Sequence, residues 1–330
     1  MDAGSDNELS GHTCRRRGMA MRRREFLSRS IAGVGAVALG SRWAWGAETP
    51  ATPRYFDPYE QAIPLGKTGL KLSRLCLGTG MRGGGRQSNH TRMGAEKFQA
   101  LIRYSYEHGV RVFDLADLYG THPYVMPALR QIPRKNFTVI SKIWFRPGGL
   151  GDITERPGAE VVVERFLKEL KTDYIDLLLL HCVTRGKWNE ELAEYMTALD
   201  KLKQKGVIRA HGVSCHSLDA LKTAAAEPWV DSVHVRINAY GTKMDGKPEE
   251  VAPVVEQIHK AGKGVVGMKL IGEGEFRHDD EKKSRSVGYV LGLGTVDVLN
   301  VGFEKPEEVD DFAKRVAQTP RAAAAVAQEA

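Results

Sequence analysis

The chain has 330 residues, 42% of them hydrophobic and 27% charged, which is ample apolar material for a large core. Its formal net charge is +7, but Met1 to Ala47 hold eight arginines against four acids and so carry more than half of that excess. What remains is a mixed, solvated surface, which speaks against a nucleic-acid partner. Four cysteines (Cys14, Cys76, Cys182 and Cys215) show no Cys-x-x-Cys or Cys/His spacing, so no metal centre is expected. Cys76 reads as a core residue. Cys182 and Cys215 end consecutive predicted strands, and a disulfide between them would also need matching side-chain directions.

Residues 1–47 read as an address. Arg22-Arg23-Arg24-Glu25-Phe26-Leu27-Ser28 precedes a short Gly/Ala-rich apolar run, Ile31 to Gly40, and then the small residues of Ala44-Trp45-Gly46-Ala47. Basic, apolar and small-residue regions in that order make a signal peptide. The arginine string resembles the twin-arginine export motif, with Arg23 and Arg24 as the pair. That resemblance implies the twin-arginine export machinery as a partner and a periplasmic or secreted location, or a cytoplasmic one if the signal is not used. An apolar run this short does not span a bilayer, so no stable membrane anchor is expected after cleavage. Met19 and Met21 stand as alternative starts.

Residues 48–62 form a Pro-containing linker. Ile63 to Ser73 then reads as a hairpin turning at Lys67-Thr68-Gly69. Beyond it, β-type runs alternate with amphipathic stretches. The runs are Arg74–Leu77, Val112–Leu115, Phe137–Ser141, Ile175–Leu180, Ala210–Ser214, Val233–Ile237, Gly264–Met268 and Val296–Val301. Helical patterns cover Ala95–Tyr106, Tyr124–Leu129, Ala159–Leu170, Glu190–Lys205, Leu218–Ala226, Glu249–Ala261, Ser286–Leu293 and Pro306–Val316. Eight strands each followed by a helix predict a single-domain α/β fold, a (β/α)8 TIM barrel with an N-terminal β-hairpin, over residues 63–318. A doubly wound sheet uses the same alternation. Residues 319–330 are Ala-rich and read as a mobile tail.

Gly78-Thr79-Gly80-Met81-Arg82-Gly83 fits the dinucleotide fingerprint Gly-x-Gly-x-x-Gly. The fingerprint needs a helix to open at once, whereas Gly84 to His90 shows no helical periodicity, so the segment reads as a mobile loop over a barrel mouth. Four polar residues stand at or just past strand ends: Asp114, Tyr119, Lys142 and His181. In a closed barrel these ends meet round one mouth, which favours closure over the open sheet. The set suits carbonyl reduction. Hydride arriving at a carbonyl carbon leaves charge on oxygen, so a proton donor must stand beside it. Tyr119 is the candidate acid, with Lys142 expected to lower its pKa, Asp114 to hold Lys142, and His181 to donate to the carbonyl oxygen. Asp117, two residues before Tyr119, reads as a loop-bonding residue.

The string Phe113-Asp114-Leu115-Ala116-Asp117-Leu118-Tyr119-Gly120, followed by Lys142 and His181, resembles the aldo-keto reductase family and its Asp, Tyr, Lys, His tetrad. The resemblance runs from about Ile63 to Val309 and implies a nicotinamide cofactor, NADP or NAD, with a small-molecule carbonyl or alcohol substrate. It also implies that the hairpin closes the bottom of the barrel. For the cofactor it points to Ser214, Cys215, His234, Met268, Lys269, Gly272 and Gly302. Three of these depart from the family pattern. Cys215 stands for an asparagine, His234 for a glutamine, and Met268 for an aromatic that stacks on the nicotinamide. Near Gly302 the family's basic grip on the 2′-phosphate is replaced by Glu304, Glu307 and Glu308 against Lys305, which favours NAD(H). Two other readings fit the same sequence. One is an exported binding or sensory barrel with little turnover. The other is a glycoside hydrolase barrel, which needs a second carboxylate facing Asp114 across the mouth.

Overall fold

Leucine- and valine-rich runs flanked by glycines pair side by side in the computed structural model, which describes residues 53–151 and 156–321. The arginine motif, the apolar run and the cleavage segment lie outside the described residues. A short antiparallel pair comes first, β1 (Ile63–Pro64) and β2 (Lys71–Leu72). Eight parallel strands follow: β3 (Leu75–Gly78), β4 (Val112–Asp114), β5 (Thr138–Ile143), β6 (Ile175–Val183), β7 (Ile208–Cys215), β8 (Ser232–Arg236), β9 (Gly264–Met268) and β10 (Val298–Val301). They close in chain order, with β10 hydrogen-bonded to both β9 and β3. Closure excludes the doubly wound sheet.

The helices are α1 (Asn89–Arg92), α2 (Ala95–Glu107), α3 (His122–Ala128), α4 (Ala159–Leu170), α5 (Trp188–Glu191), α6 (Ala193–Gln204), α7 (Leu218–Ala226), α8 (Pro248–Lys260), α9 (Asp280–Gly292) and α10 (Pro306–Gln318). The last shows why such segments coil and dock. Pro306 starts it, Glu307 and Glu308 occupy the positive N-terminal turn, and Arg315 lies in the last turn. Val309, Phe312, Ala313 and Val316 are buried at helical spacing against the barrel. Residues Glu190–Lys205 are two helices, α5 and α6, meeting at Leu192. The one-turn α1 carries too few residues to show a period. It is held instead by a capping box, in which the Ser88 hydroxyl accepts from the Thr91 N–H and the Ser88 N–H donates to the Thr91 hydroxyl.

Inside the barrel the side chains fall into two zones. Cys76, Val112, Ile140, Leu177, Leu179, Ala210, Val266 and Val298 form an apolar cluster with Leu65, Leu70 and Leu72 of the hairpin. The hairpin is therefore the plug that shields one end of this interior from water. Strand side chains alternate with a period of two. The same inward face thus continues, toward the strand C-termini, into Gly78, Asp114, Lys142, His181, Ser214, His234, Met268 and Asn300. Apolar floor and polar mouth are consecutive turns of one alternation. Outside the described barrel body, the Phe56 N–H donates to the Thr319 carbonyl (3.1 Å), and Arg321 pairs with Glu60 (2.5 Å). These contacts tie the end of the linker to the start of the C-terminal segment.

Candidate active site

β4 delivers Asp114 to the mouth, where its carboxylate is buried. Oδ2 accepts from Lys142 Nζ at 2.6 Å and from Asn300 Nδ2 at 2.8 Å, while Oδ1 faces His234 Nε2 at 3.2 Å. The Lys142 ammonium, from β5, also donates to the Leu115 carbonyl at 2.9 Å. Lys142 and His234 hold the Asp114 carboxyl well below the usual carboxylate range, against the upward push of burial.

After β4 the backbone runs extended through Ala116 and then makes a single 3-10 turn, Asp117–Tyr119. Gly120 ends that turn at φ 63°, and a Cβ there would stand 1.9 Å from the Arg86 carbonyl oxygen, so only glycine fits. The turn brings the Tyr119 hydroxyl to 3.2 Å from His181 Nε2, ring edge to ring face, with Lys142 Nζ 4.8 Å from the phenol centroid. The loop Gly80–Gly83 lies against the phenol, and a Cβ on Gly80 would come within 2.3 Å of Tyr119 Cζ. This loop is the segment that mimics the dinucleotide fingerprint. No helix opens directly behind it, and its glycines serve as a shelf for Tyr119.

Electrostatics correct one expectation. The Tyr119 pKa is not lowered on balance; burial, and then the Asp114 charge, push the phenol well above its ordinary value. The ammonium 4.8 Å from the ring centroid still favours the phenolate, but burial and the Asp114 charge outweigh it. Tyr119 is therefore a neutral hydroxyl at physiological pH. Burial, with Lys142 nearby, pushes His181 well below its ordinary pKa, so the imidazole is neutral as well.

Asp117 is fully buried and paired with Arg165 (2.8 Å) and Arg86 (3.6 Å). Both arginines also bind Glu169, at 3.2 and 2.5 Å. Glu169 meets His122 Nδ1 at 3.0 Å, and the His122 Nε2 to Ser141 hydroxyl distance is 2.7 Å. The network joins the glycine loop, the Tyr119 turn, α3, α4 and β5. It holds the turn that carries Tyr119 from behind, and Glu169 is pulled down to a pKa of about 2, mainly by His122 and Arg86 against burial.

The residues singled out for a cofactor separate into two groups. Met268, Lys269 and Gly302 line a cleft whose inner end reaches Asp114 and Tyr119. Gly272 lies buried just behind it, in a 3-10 turn packed on Phe276. Ser214 faces inward and its hydroxyl accepts from the Cys182 N–H at 3.2 Å. Cys215 points the other way, into the layer between strands and helices, and the two cysteines are free. Cys182 Sγ lies 3.4 Å from His216 Nε2 instead. His234 is wholly buried and turned to Asp114.

Sequence reasoning missed Asn300 and Trp144. Asn300 is the single polar residue in Val298-Leu299-Asn300-Val301, and an inward position two beyond Val298 marks it as a mouth residue. Trp144, just past β5, meets His181 edge to face at 6.0 Å. A second cleft continues the first outward, sharing Met81, Ile271, Glu273, Val301 and Gly302 as walls and ending among Glu304, Glu308 and Asp311.

A closed (β/α)8 barrel with polar side chains converging at its C-terminal mouth is an enzyme-type barrel. The chain belongs to the aldo/keto reductase family, whose model matches residues 74–321. It is 27% identical over 223 residues, 66% of this chain, to a Glycine max protein named as an aldo-keto reductase. It is 28% identical over 200 residues, 56% of this chain, to an Escherichia coli K12 protein named NADH-specific methylglyoxal reductase. Each match spans 61% of the relative's own length. Among solved structures, an aldo-keto reductase of Pseudomonas aeruginosa superposes with a TM-score of 0.65 at 25% identity, over 81% of this chain and 98% of that one.

Proposed function

We propose that this protein is an NAD(P)-dependent oxidoreductase that moves a hydride between a nicotinamide cofactor and a small carbonyl or alcohol. The observation that carries the reading is the meeting of two pairs, Lys142–Asp114 and Tyr119–His181, at the inner end of one cleft. The residues present fit such a cofactor. The two clefts share walls and form one trough, open at Gly302, with Met268 and Lys269 flanking its inner part. Bound there, the nicotinamide supplies a hydride to the carbonyl carbon. Tyr119, neutral and half-buried at the inner end of the cleft, gives its proton to the carbonyl oxygen, and His181 orients that oxygen through Nε2. Lys142, fixed by Asp114, keeps positive charge beneath the phenol ring as negative charge develops on it. Glu273 lines the same cleft, but both Asp114 oxygens are engaged by Lys142, Asn300 and His234, so this carboxylate is not free to serve as a glycosidase nucleophile or base. Steady-state assays of the purified protein with both reduced cofactors and a mixed aldehyde panel test the proposal. Cofactor binding without any turnover would favour the binding-protein reading instead.

Cofactor choice follows from the outer cleft. With the nicotinamide beside Tyr119, the adenosine end falls among Glu304, Glu308 and Asp311. Glu308 is held in place by accepting the Glu304 N–H at 2.7 Å. Glu307 and Lys305 are exposed and take no part in this wall, and Lys263 is spent on the carbonyls of Ala224, Ala225 and Glu227. Lys283 is paired with Asp280 and Asp311, but Arg82 and Arg277 also line this cleft without an ion pair among the described residues, so its three cations are only narrowly outnumbered by Glu273, Glu304, Glu308 and Asp311. Such carboxylates accept hydrogen bonds from a ribose 2′-hydroxyl and repel a 2′-phosphate. NAD(H) is therefore expected to bind more tightly than NADP(H). Isothermal titration at two salt concentrations checks this, and NADP(H) tighter by roughly tenfold at both would refute it.

Export by the twin-arginine route is the second part of the proposal, supported by the order of basic, apolar and small-residue segments in residues 1–47. Among the described residues no helix is long and apolar enough to cross a membrane. Arg23→Lys with Arg24→Lys keeps the charge, so a merely electrostatic arm would not respond, whereas a receptor that reads the arginine pair would. The double variant is expected to stay as uncleaved precursor in cell fractions. Normal processing and export would end the address hypothesis.

A further inference from the structure

Asp114 is held by more than Lys142. Both of its oxygens are engaged from three separate strands: Lys142 on β5, His234 on β8 and Asn300 on β10. His234 has no other side-chain partner, and Asn300 adds to this bond only a place in the wall of the inner cleft. His234 has no exposed surface, and its other nitrogen, Nδ1, has no partner. Asn300 is 8% exposed, and its Oδ1 likewise has none. Packing explains how Asn300 gets so close to β3. A Cβ on Gly78 would stand 2.4 Å from Asn300 Oδ1, so glycine there opens the room that the amide fills. The amide orientation is set by chemistry, because turning Oδ1 toward the carboxylate would bring two acceptors together. The same logic fixes the imidazole: only the Nε2–H tautomer can donate to Asp114 Oδ1.

We infer that Asn300 and His234 are positioning residues of the hydride-transfer site, which clamp both oxygens of Asp114 and so set where Lys142 points. The inference rests on the proposed oxidoreductase reading. A carboxylate held by Lys142 alone can rotate about χ2 and carry the ammonium with it. With Asn300 on the oxygen that Lys142 uses and His234 on the other, rotation would break charge-assisted hydrogen bonds in a dry site. The donors sit on strands far from β5 in the ring, so the barrel itself fixes the carboxylate. The other ionisable groups near Asp114 are the Tyr119 phenol, the Cys76 thiol and the His181 imidazole; burial and the Asp114 charge raise the pKa of the first two, while burial and Lys142 lower that of His181.

Three variants and one spectrum test this. Asn300→Leu and His234→Leu each replace the donor by an apolar side chain, while His234→Gln restores an N–H. Each leucine variant is expected to lower kcat by roughly tenfold with KM for the carbonyl little changed, since a hydrogen bond to a charged group carries about that factor. His234→Gln should recover most of the loss. A second readout needs no cofactor. A depressed folded pKa stabilises the fold above the unfolded carboxylate pKa, and that contribution is lost as pH falls through the folded value. The urea-unfolding gap between wild type and Asn300→Leu should thus be widest at neutral pH and narrow on acidification. Packing alone would give a gap independent of pH. If a variant does not fold, nitrogen NMR of the wild-type imidazoles still decides, because His234 must carry its proton on Nε2. Wild-type kcat in both leucine variants, a pH-independent gap, or a proton on Nδ1 would each overturn the inference. Tyr119→Phe is assayed alongside. If it too keeps full activity, the oxidoreductase reading has failed, whereas loss in Tyr119→Phe with full activity in the leucine variants sinks only the clamp.

Discussion

Tyr119→Phe is expected to slow carbonyl reduction by a factor of roughly 10² to 10⁴, the usual weight of general acid catalysis. Only a hydroxyl is removed, and the ring keeps its bed against Gly80 and Gly83, so the cleft retains its shape and cofactor affinity should stand. The pH profile adds a sign. Burial and Asp114 hold the phenol above its ordinary pKa, so the protonated donor persists through neutral pH. The wild-type reduction rate should therefore show no loss from this group until alkaline pH. Titration of the donor below neutrality would contradict that placement. Undiminished turnover in the purified variant would remove Tyr119 from its role.

Lys142→Met is expected to cost both activity and stability. The substitution leaves Asp114 buried without its cation, and breaking one side of such a pair typically costs about 3–5 kcal/mol. Asn300 and His234 still donate to the carboxylate, which places the expected loss toward the lower end. Without the ammonium, the Asp114 pKa must rise, because Lys142 is the largest influence holding it down. Part of the lost stability should accordingly be regained at acid pH, where protonation removes the unpaired charge. Thermal or urea unfolding across pH measures this. A variant as stable as wild type at neutral pH would mean that the Lys142–Asp114 pair contributes nothing net.

The architecture was legible because it rests on alternation. Eight apolar runs with amphipathic stretches between them leave few topologies, and polar strand ends at Asp114, Lys142 and His181 chose closure. The hairpin plug was equally readable, since Leu65, Leu70 and Leu72 have nowhere apolar to go except the barrel floor. What stayed hidden depends on direction rather than on residue type. His234 and Cys215 both matched cofactor-segment positions, yet parity turns one toward Asp114 and the other toward the helices. The ionic network of Arg86, Asp117, Arg165 and Glu169 joins residues that no local period connects. α1 was invisible for a simpler reason: one turn is shorter than a helical repeat, and its signal is the Ser88 cap. The phenol's pKa needed the structure, because sequence names the neighbours but not the burial that outweighs Lys142.

The most direct test of the central claim is a single-turnover experiment. Wild-type protein in excess over bound reduced nicotinamide is mixed rapidly with a panel of small aldehydes, and the near-ultraviolet absorbance of the reduced cofactor is followed. The structure predicts an exponential loss of that absorbance with at least one aldehyde, slowed by roughly 10² or more in Tyr119→Phe. Reduced cofactor that binds in the cleft yet survives unchanged with every aldehyde, in wild type and variant alike, would contradict hydride transfer at this site.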